Sequence, residues 1–125
     1  MPNIDQKWYG EMTETKWGVF KMTFIEQVFK ISDSVKNDRT VLGVLGHTMS
    51  ELGELAEEVT IDQGQSYKNP GDDGVIGEAI DTIICILDLI RITYPNITEQ
   101  DLQQIAEIKL QKWVDKTNNK GGQNG

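Results

Sequence analysis

Two pairs of carboxylates, Glu51 with Glu54 and Glu78 with Asp81, could hold a divalent cation. The members of each pair stand three residues apart, so on a helix they project from one face. A clamp of four carboxylates is a hard, all-oxygen donor set, and such sets favour Mg²⁺, or Mn²⁺ in its place, over zinc. His47 precedes Glu51 by one turn and Glu58 follows Glu54 by one turn. With a step of about 100° per residue, His47, Glu51, Glu54 and Glu58 share an arc of roughly 60°, while Glu57 points elsewhere. A strip of Glu opposite an apolar face is ordinarily a solvated surface, so this helix alone carries little weight.

The second pair changes that balance. From Val75 to Ile90 the chain is apolar nearly all round, and Glu78, Asp81, Cys85 and Asp88 fall together on one narrow strip bordered by Ile84 and Leu89. A helix of this kind is buried in its own bundle or covered by a partner. Carboxylates held against isoleucine and leucine must be neutralised by protonation, by Lys or Arg, or by a metal. Between His47 and Ile90 ten carboxylates face a single cation, Lys68, so a metal is the economical answer. A di-iron bundle also uses carboxylates, but it needs Glu-x-x-His twice, and this chain has one histidine. Cys/His and Ser/His nucleophile arrangements find no support either.

The elements that must position these residues read as four helices, with no convincing strand. The first spans about Trp17 to Lys36, with Phe20, Phe24, Val28, Ile31 and Val35 at helical spacing. Asn37 and Asp38 are suited to cap a second helix, from about Thr40 to Gln63, whose core stripe is Leu45, Met49, Leu52, Leu55, Ala56 and Val59. Gly46 and Gly53 share another stripe of it, as weak helical positions or as points of close approach. A loop rich in Gly, Asn, Asp and Pro, GQSYKNPGDDG, leads to a third helix from Val75 to Tyr94, which Pro95 stops. Thr98 caps the fourth helix, with Asp101 three residues on resembling a capping box. That helix is expected to end near Thr117. The domain expectation is an N-terminal segment over 1–16, an all-α bundle over 17–117 that oligomerises through its helices, and a disordered tail over 118–125.

At 125 residues the chain suits one domain with a single core. Its net charge of −8 repels nucleic acid polymers and anionic lipid, so its partners are cations, or anions reached through cations. The residues MPNIDQKWYG carry no apolar signal region, and the longest apolar run, Ile83 to Leu87, is too short to cross a bilayer. The lone Cys85, a small core hydrophobe in this reading, fits a reducing compartment, so the expected location is cytoplasmic.

The segments HTMSELGELAEEV and GEAIDTIICILDLI resemble the MazG-like branch of the all-α NTP pyrophosphatases, whose motif is Glu-x-x-Glu, a gap, then Glu-x-x-Asp. Here it reads Glu51-x-x-Glu54, 23 intervening residues and Glu78-x-x-Asp81. The likeness covers roughly Thr40 to Lys116. It departs at Ser50, where many members have a further Glu, which puts the outer shell in doubt. The resemblance implies Mg²⁺-dependent hydrolysis of (d)NTPs to (d)NMP and pyrophosphate, by water attack on the α-phosphorus. Glu51, Glu54, Glu78 and Asp81 become metal ligands, and Glu58 a fifth ligand or the base. It also implies phosphate contacts from Lys109 and Lys112, which line up with Lys116 along the fourth helix, as a solvated lysine edge would too. Lys68 is a further candidate for phosphate, and His47 for a substrate contact, for ligand support or for a structural role. Trp17, Trp113 and Tyr67 are candidates to stack on a base, the tryptophans fitting core or interface positions as well. A homodimer or homotetramer is the expected assembly. The competing expectations are a dUTP-specific or phosphoribosyl-ATP-specific sibling, and a non-catalytic, metal-stabilised helical module that binds a partner.

Overall fold

A computed structural model describes residues 22–35 and 38–124, with side chains as far as residue 119. Among the described residues there are four helices and no strand: α1 (Phe24–Ser34), α2 (Val41–Asp62), α3 (Gly74–Thr93) and α4 (Glu99–Asn124). The chain divides into two compact units, one ending at Pro95 and one beginning at Asn96. The first helix begins only at Phe24, after the non-helical Met22 and the cap Thr23, and ends at Ser34 with Val35 extended, so the expected unbroken helix from Trp17 to Lys36 is not formed; the N-terminal segment, Trp17, Phe20, Lys36 and the capping candidate Asn37 lie outside the described residues.

Local chemistry sets the helix ends. Thr23 accepts a hydrogen bond from the Glu26 amide at 3.1 Å, and Thr40 accepts one from the Gly43 amide at 3.0 Å, so each caps the helix that follows it. Thr40, rather than Asp38, is the cap of α2. At the far end Gly64 takes a positive φ of 73°. Its amide reaches Ile61 O at 3.0 Å and that of Gln65 reaches Thr60 O at 2.9 Å, the paired bonds of a Schellman ending. The α4 capping box is present: Thr98 Oγ1 accepts from the Asp101 amide at 3.1 Å, and Asp101 returns an acceptor to the Thr98 amide at 2.9 Å. Helix α4 runs to Asn124, past the expected end near Thr117 and through the segment expected to be disordered, with no proline in its way.

In the first unit α2 and α3 pack along each other, antiparallel across the loop, and α1 packs on α3. The faces that meet are not the expected ones. Val44, Thr48 and Glu58 are buried and Glu51 and Leu55 half-buried, so this strip of α2 meets α3. Leu45, Met49, Leu52 and Val59, expected as the core stripe, are exposed, Met49 to 65%. On α3, Thr82 and Leu87 are buried, while Ile76, Ile80, Ile83 and Ile86 are exposed. The helical wheel separates two strips correctly but cannot say which one the chain itself covers. A Cβ added at Gly46 or Gly53 would meet nothing within 4 Å, so no close approach explains these glycines among the described residues. Among the described residues the buried apolar side chains are Val28, Phe29, Val44 and Leu87. No helix among the described residues is long and apolar enough to cross a membrane.

Candidate metal centre

The antiparallel pairing of α2 and α3 brings the two sequence pairs together. Oxygens of Glu51, Glu54 and Glu78 all lie within 4.8 Å of one another, and so do oxygens of Asp73, Glu78 and Asp81. Glu78 belongs to both groups, so the five carboxylates form one continuous cluster along the seam. All four residues singled out from the sequence are present in it. Asp73 is the addition. It precedes the first residue of α3, and its side chain makes no capping bond to the helix. The signal was legible as the last acidic residue of GDDG, five positions before Glu78, but it lies outside the paired motif.

The cluster has little inside the fold to neutralise it. Among the described residues no Lys or Arg pairs with Glu51, Glu54, Asp73, Glu78 or Asp81, and the nearest basic group is His47 Nε2, 3.6 Å from Glu51 Oε1. Glu51 Oε2 and Glu78 Oε2 are buried and accept no hydrogen bond among the described residues. Buried polar atoms without partners are costly and rare, and they ask for a ligand. Desolvation raises the pKa of Glu51, with the charges of Glu54 and Asp81 adding to it and His47 opposing. Desolvation likewise raises Glu78, reinforced by Glu54, Asp73, Asp81 and Glu51. Five clustered carboxylates with two orphaned oxygens suit a hard divalent cation, which would discharge the repulsion and occupy the orphaned lone pairs.

The other sequence candidates are distributed differently. Glu58 is in neither oxygen group. It is buried at 8% exposure, and its Oε1 accepts a hydrogen bond from the Gly71 amide, so it anchors the α2–α3 loop. Lys68 Nζ pairs with Glu57 Oε1 at 2.6 Å. His47 lies beside the cluster with a largely exposed side chain. Lys109, Lys112 and Lys116 are exposed on α4, in the second unit, as is Trp113, and Tyr67 is exposed in the loop. Trp17 lies outside the described residues. Cys85 is half-buried, and desolvation with the charges of Glu51, Asp88 and Asp81 pushes its thiol pKa up, away from reactivity.

Arginine appears one turn further along α3. Asp88 receives Arg39 Nη1 at 2.5 Å and the Ser32 hydroxyl at 2.5 Å, tying α3 to α1 and to the residue before the α2 cap. Arg91 makes a two-pronged bond to Asp33, at 2.8 and 2.7 Å, and lies 5.1 Å over the ring of Phe29. No family model matches the chain, and no curated protein or solved structure is significantly similar to it.

Proposed function

We propose that the chain is a Mg²⁺-dependent nucleoside triphosphate pyrophosphohydrolase that converts (d)NTP and water to (d)NMP and pyrophosphate. The observation that carries this reading is the seam itself: Glu51-x-x-Glu54 and Glu78-x-x-Asp81 converge on one cluster with two orphaned oxygens and no Lys or Arg partner among the described residues. The resemblance of the same two segments to the MazG-like pyrophosphatases supplies the reaction. Glu51, Glu54, Glu78 and Asp81 would hold the metal, with Asp73 beside them. Bound there, Mg²⁺ (or Mn²⁺) supplies Lewis-acid stabilisation of the phosphates and of the departing pyrophosphate. The carboxylates orient the attacking water toward the α-phosphorus and take up its proton. Lys109 and Lys112, exposed on α4 in the second unit, are the phosphate candidates that the resemblance implies.

The assembly belongs to the same reading. Leu45, Met49 and Leu52 on α2 and Ile76, Ile80 and Ile83 on α3 are apolar and exposed, which is the character of an interaction face. A second copy of the chain covers them and completes a helical bundle. Light scattering should give a dimer or tetramer, and Met49→Glu should shift the population toward monomer. A wild-type monomer at assay concentration refutes this assembly.

The reaction is tested by product analysis on NTPs and dNTPs with Mg²⁺. Monophosphate and pyrophosphate should appear with wild type and fall by at least about 100-fold in Glu54→Gln, since even outer-shell changes at metal sites cost 10- to 100-fold. No turnover of any nucleotide with either metal, alongside Mg²⁺ binding that Glu54→Gln abolishes, would leave a metal-stabilised helical module instead.

A further inference from the structure

Asp73 immediately precedes α3 and is the one member of the carboxylate cluster that neither paired motif contains. An Asp in this place ordinarily turns its carboxylate onto the free amides of the first helical turn, which stabilises the helix and fixes the side chain. Asp73 makes no such bond. Its backbone is already helical, at φ −81° and ψ −26°, and its carbonyl accepts from the Gly77 amide at 3.1 Å. The carboxylate lies instead with those of Glu78 and Asp81, their oxygens all within 4.8 Å of one another. Like charges at that spacing repel, and the Asp73 charge is among the causes that raise the Glu78 pKa. The side chain forgoes a favourable partner and stands among unfavourable ones, so its place is set by the chain around it.

Two contacts set it. On the α3 side the Asp73 side chain lies against Gly77, where an added Cβ would come within 2.6 Å of Asp73 Cβ and 3.4 Å of its Cγ. Asp73 Cβ is fixed to the backbone and cannot swing aside. Glycine at a helical position where alanine would favour the helix more therefore leaves the space that Asp73 fills. On the α2 side the buried Glu58 carboxylate accepts from the Gly71 amide, two residues before Asp73. The earlier tie between loop and helix, Lys68 to Glu57, is about half exposed on both sides, and such pairs hold little. Glu58 is thus the buried anchor for the end of the loop that carries Asp73.

We propose that Asp73 contacts the cation of the α2–α3 seam, and that Gly77 and Glu58 are positioning residues that set its carboxylate beside Glu78 and Asp81. This rests on the metal site of the pyrophosphohydrolase reading and not on the reaction. Hard divalent cations take at least six oxygen donors, so four carboxylates leave room for another. The loop thereby adds a fifth carboxylate to the four of the paired motifs, at the Glu78–Asp81 end of the seam.

The test is calorimetric titration of the full chain with Mg²⁺, repeated with Mn²⁺ and followed by electron paramagnetic resonance, with no nucleotide present. Asp73→Asn should weaken binding about tenfold or more. Asp72→Asn removes the same charge one residue earlier, at an exposed position outside both oxygen groups, and should change affinity less than about twofold. Gly77→Ala should weaken binding about tenfold with the helical circular dichroism retained. Glu58→Met keeps the bulk and removes the acceptor, and should also cost about tenfold, whereas Glu58→Gln keeps an acceptor for the Gly71 amide and should stay within about threefold of wild type. In the Asp73→Asn background Glu58→Met should add nothing, because its effect runs through Asp73. Wild-type affinity in Asp73→Asn, equal losses in Asp72→Asn and Asp73→Asn, or losses from Glu58→Met and Asp73→Asn that multiply in the double variant overturn the proposal. Mg²⁺ binding in the expected pattern by a chain that hydrolyses no triphosphate sinks the pyrophosphohydrolase and leaves this assignment standing. Hydrolysis by a chain whose Asp73→Asn variant binds Mg²⁺ as wild type does the reverse.

Discussion

Helix α3 carries acidic residues into two seams, and the chain treats them in opposite ways. Where α3 meets α1, Asp88 is met by Arg39 and Ser32, and Arg91 of α3 grips Asp33. Where α3 meets α2, Glu78 and Asp81 join Glu51, Glu54 and Asp73 with no Lys or Arg among the described residues to meet them. The first seam shows that this fold supplies guanidinium groups where a carboxylate is to be neutralised by the protein. About two and three turns away, no such group among the described residues meets Asp81 and Glu78, as the proposed metal site requires. The comparison separates acidic residues paired within the fold from acidic residues that the proposed function assigns to a cation.

The sharpest way to break the contrast is Glu78→Gln, which removes the carboxylate common to both oxygen groups. Hydrolysis should fall by at least about 100-fold, and the rise in melting temperature that Mg²⁺ gives the wild type should disappear. The metal-free variant should melt above metal-free wild type, since one repelling charge is gone. The same logic fixes the pH dependence. The raised pKa values of Glu51 and Glu78 mean that the folded chain holds these protons more tightly than the unfolded chain does. Metal-free protein should therefore gain stability as pH falls from neutral toward the ordinary carboxylate range, and Mg²⁺ affinity should weaken over the same window. Thermal scans with and without Mg²⁺ across that range read both effects, and a metal-free stability that only declines on acidification would contradict that expectation.

At the other seam the expectation reverses. Arg39→Met strands Asp88, whose side chain is only 19% exposed, and should cost about 2 kcal/mol in denaturant unfolding, less than a fully buried pair would. Adding Asp88→Leu should restore most of that loss, which identifies the pair as structural. The smallest effect belongs to Asp33→Asn. Arg91 holds the Asp33 pKa below its ordinary value, but the Asp33 side chain is 51% exposed, so solvent screening limits the loss to under about 1 kcal/mol near neutral pH. The lowered pKa puts that contribution above the usual carboxylate range and removes it as pH falls through the shifted value. Wild type and variant should therefore converge in acid.

Much of this was legible in the residues. The positions of α2 and α3 and the start of α4 followed from apolar spacing and from Thr98 with Asp101, Gly64 and Pro95, because caps and breakers act within a few residues, whereas the Thr23 cap that starts α1 at Phe24 was hidden by apolar spacing running on from Trp17. The meeting of Glu51 and Glu54 with Glu78 and Asp81 followed from their i, i+3 spacing on adjacent helices. What escaped depends on which neighbour a helix face meets. The leucine strip of α2 scored as core because burial normally follows hydrophobicity, yet the chain covers the carboxylate strip and leaves Leu45, Met49 and Leu52 outside. Glu58 looked equivalent to Glu54 on the wheel, and only the path of the loop gives it the Gly71 amide. Asp73 stood in a turn, where spacing rules say nothing about direction.

That bond between Glu58 and Gly71 ties two positions thirteen residues apart into one heritable unit. A Cβ at residue 71 would come within 2.6 Å of the Glu58 oxygen, the far end of a flexible side chain, which would have to shift away from the Gly71 amide. A substitution at 71 therefore evicts the carboxylate, and a substitution at 58 removes the reason for glycine at 71. Among descendants of this chain the two positions should change together or stay together. A scan of single substitutions should show the same modest loss at both positions, although Glu58 lies outside the oxygen cluster.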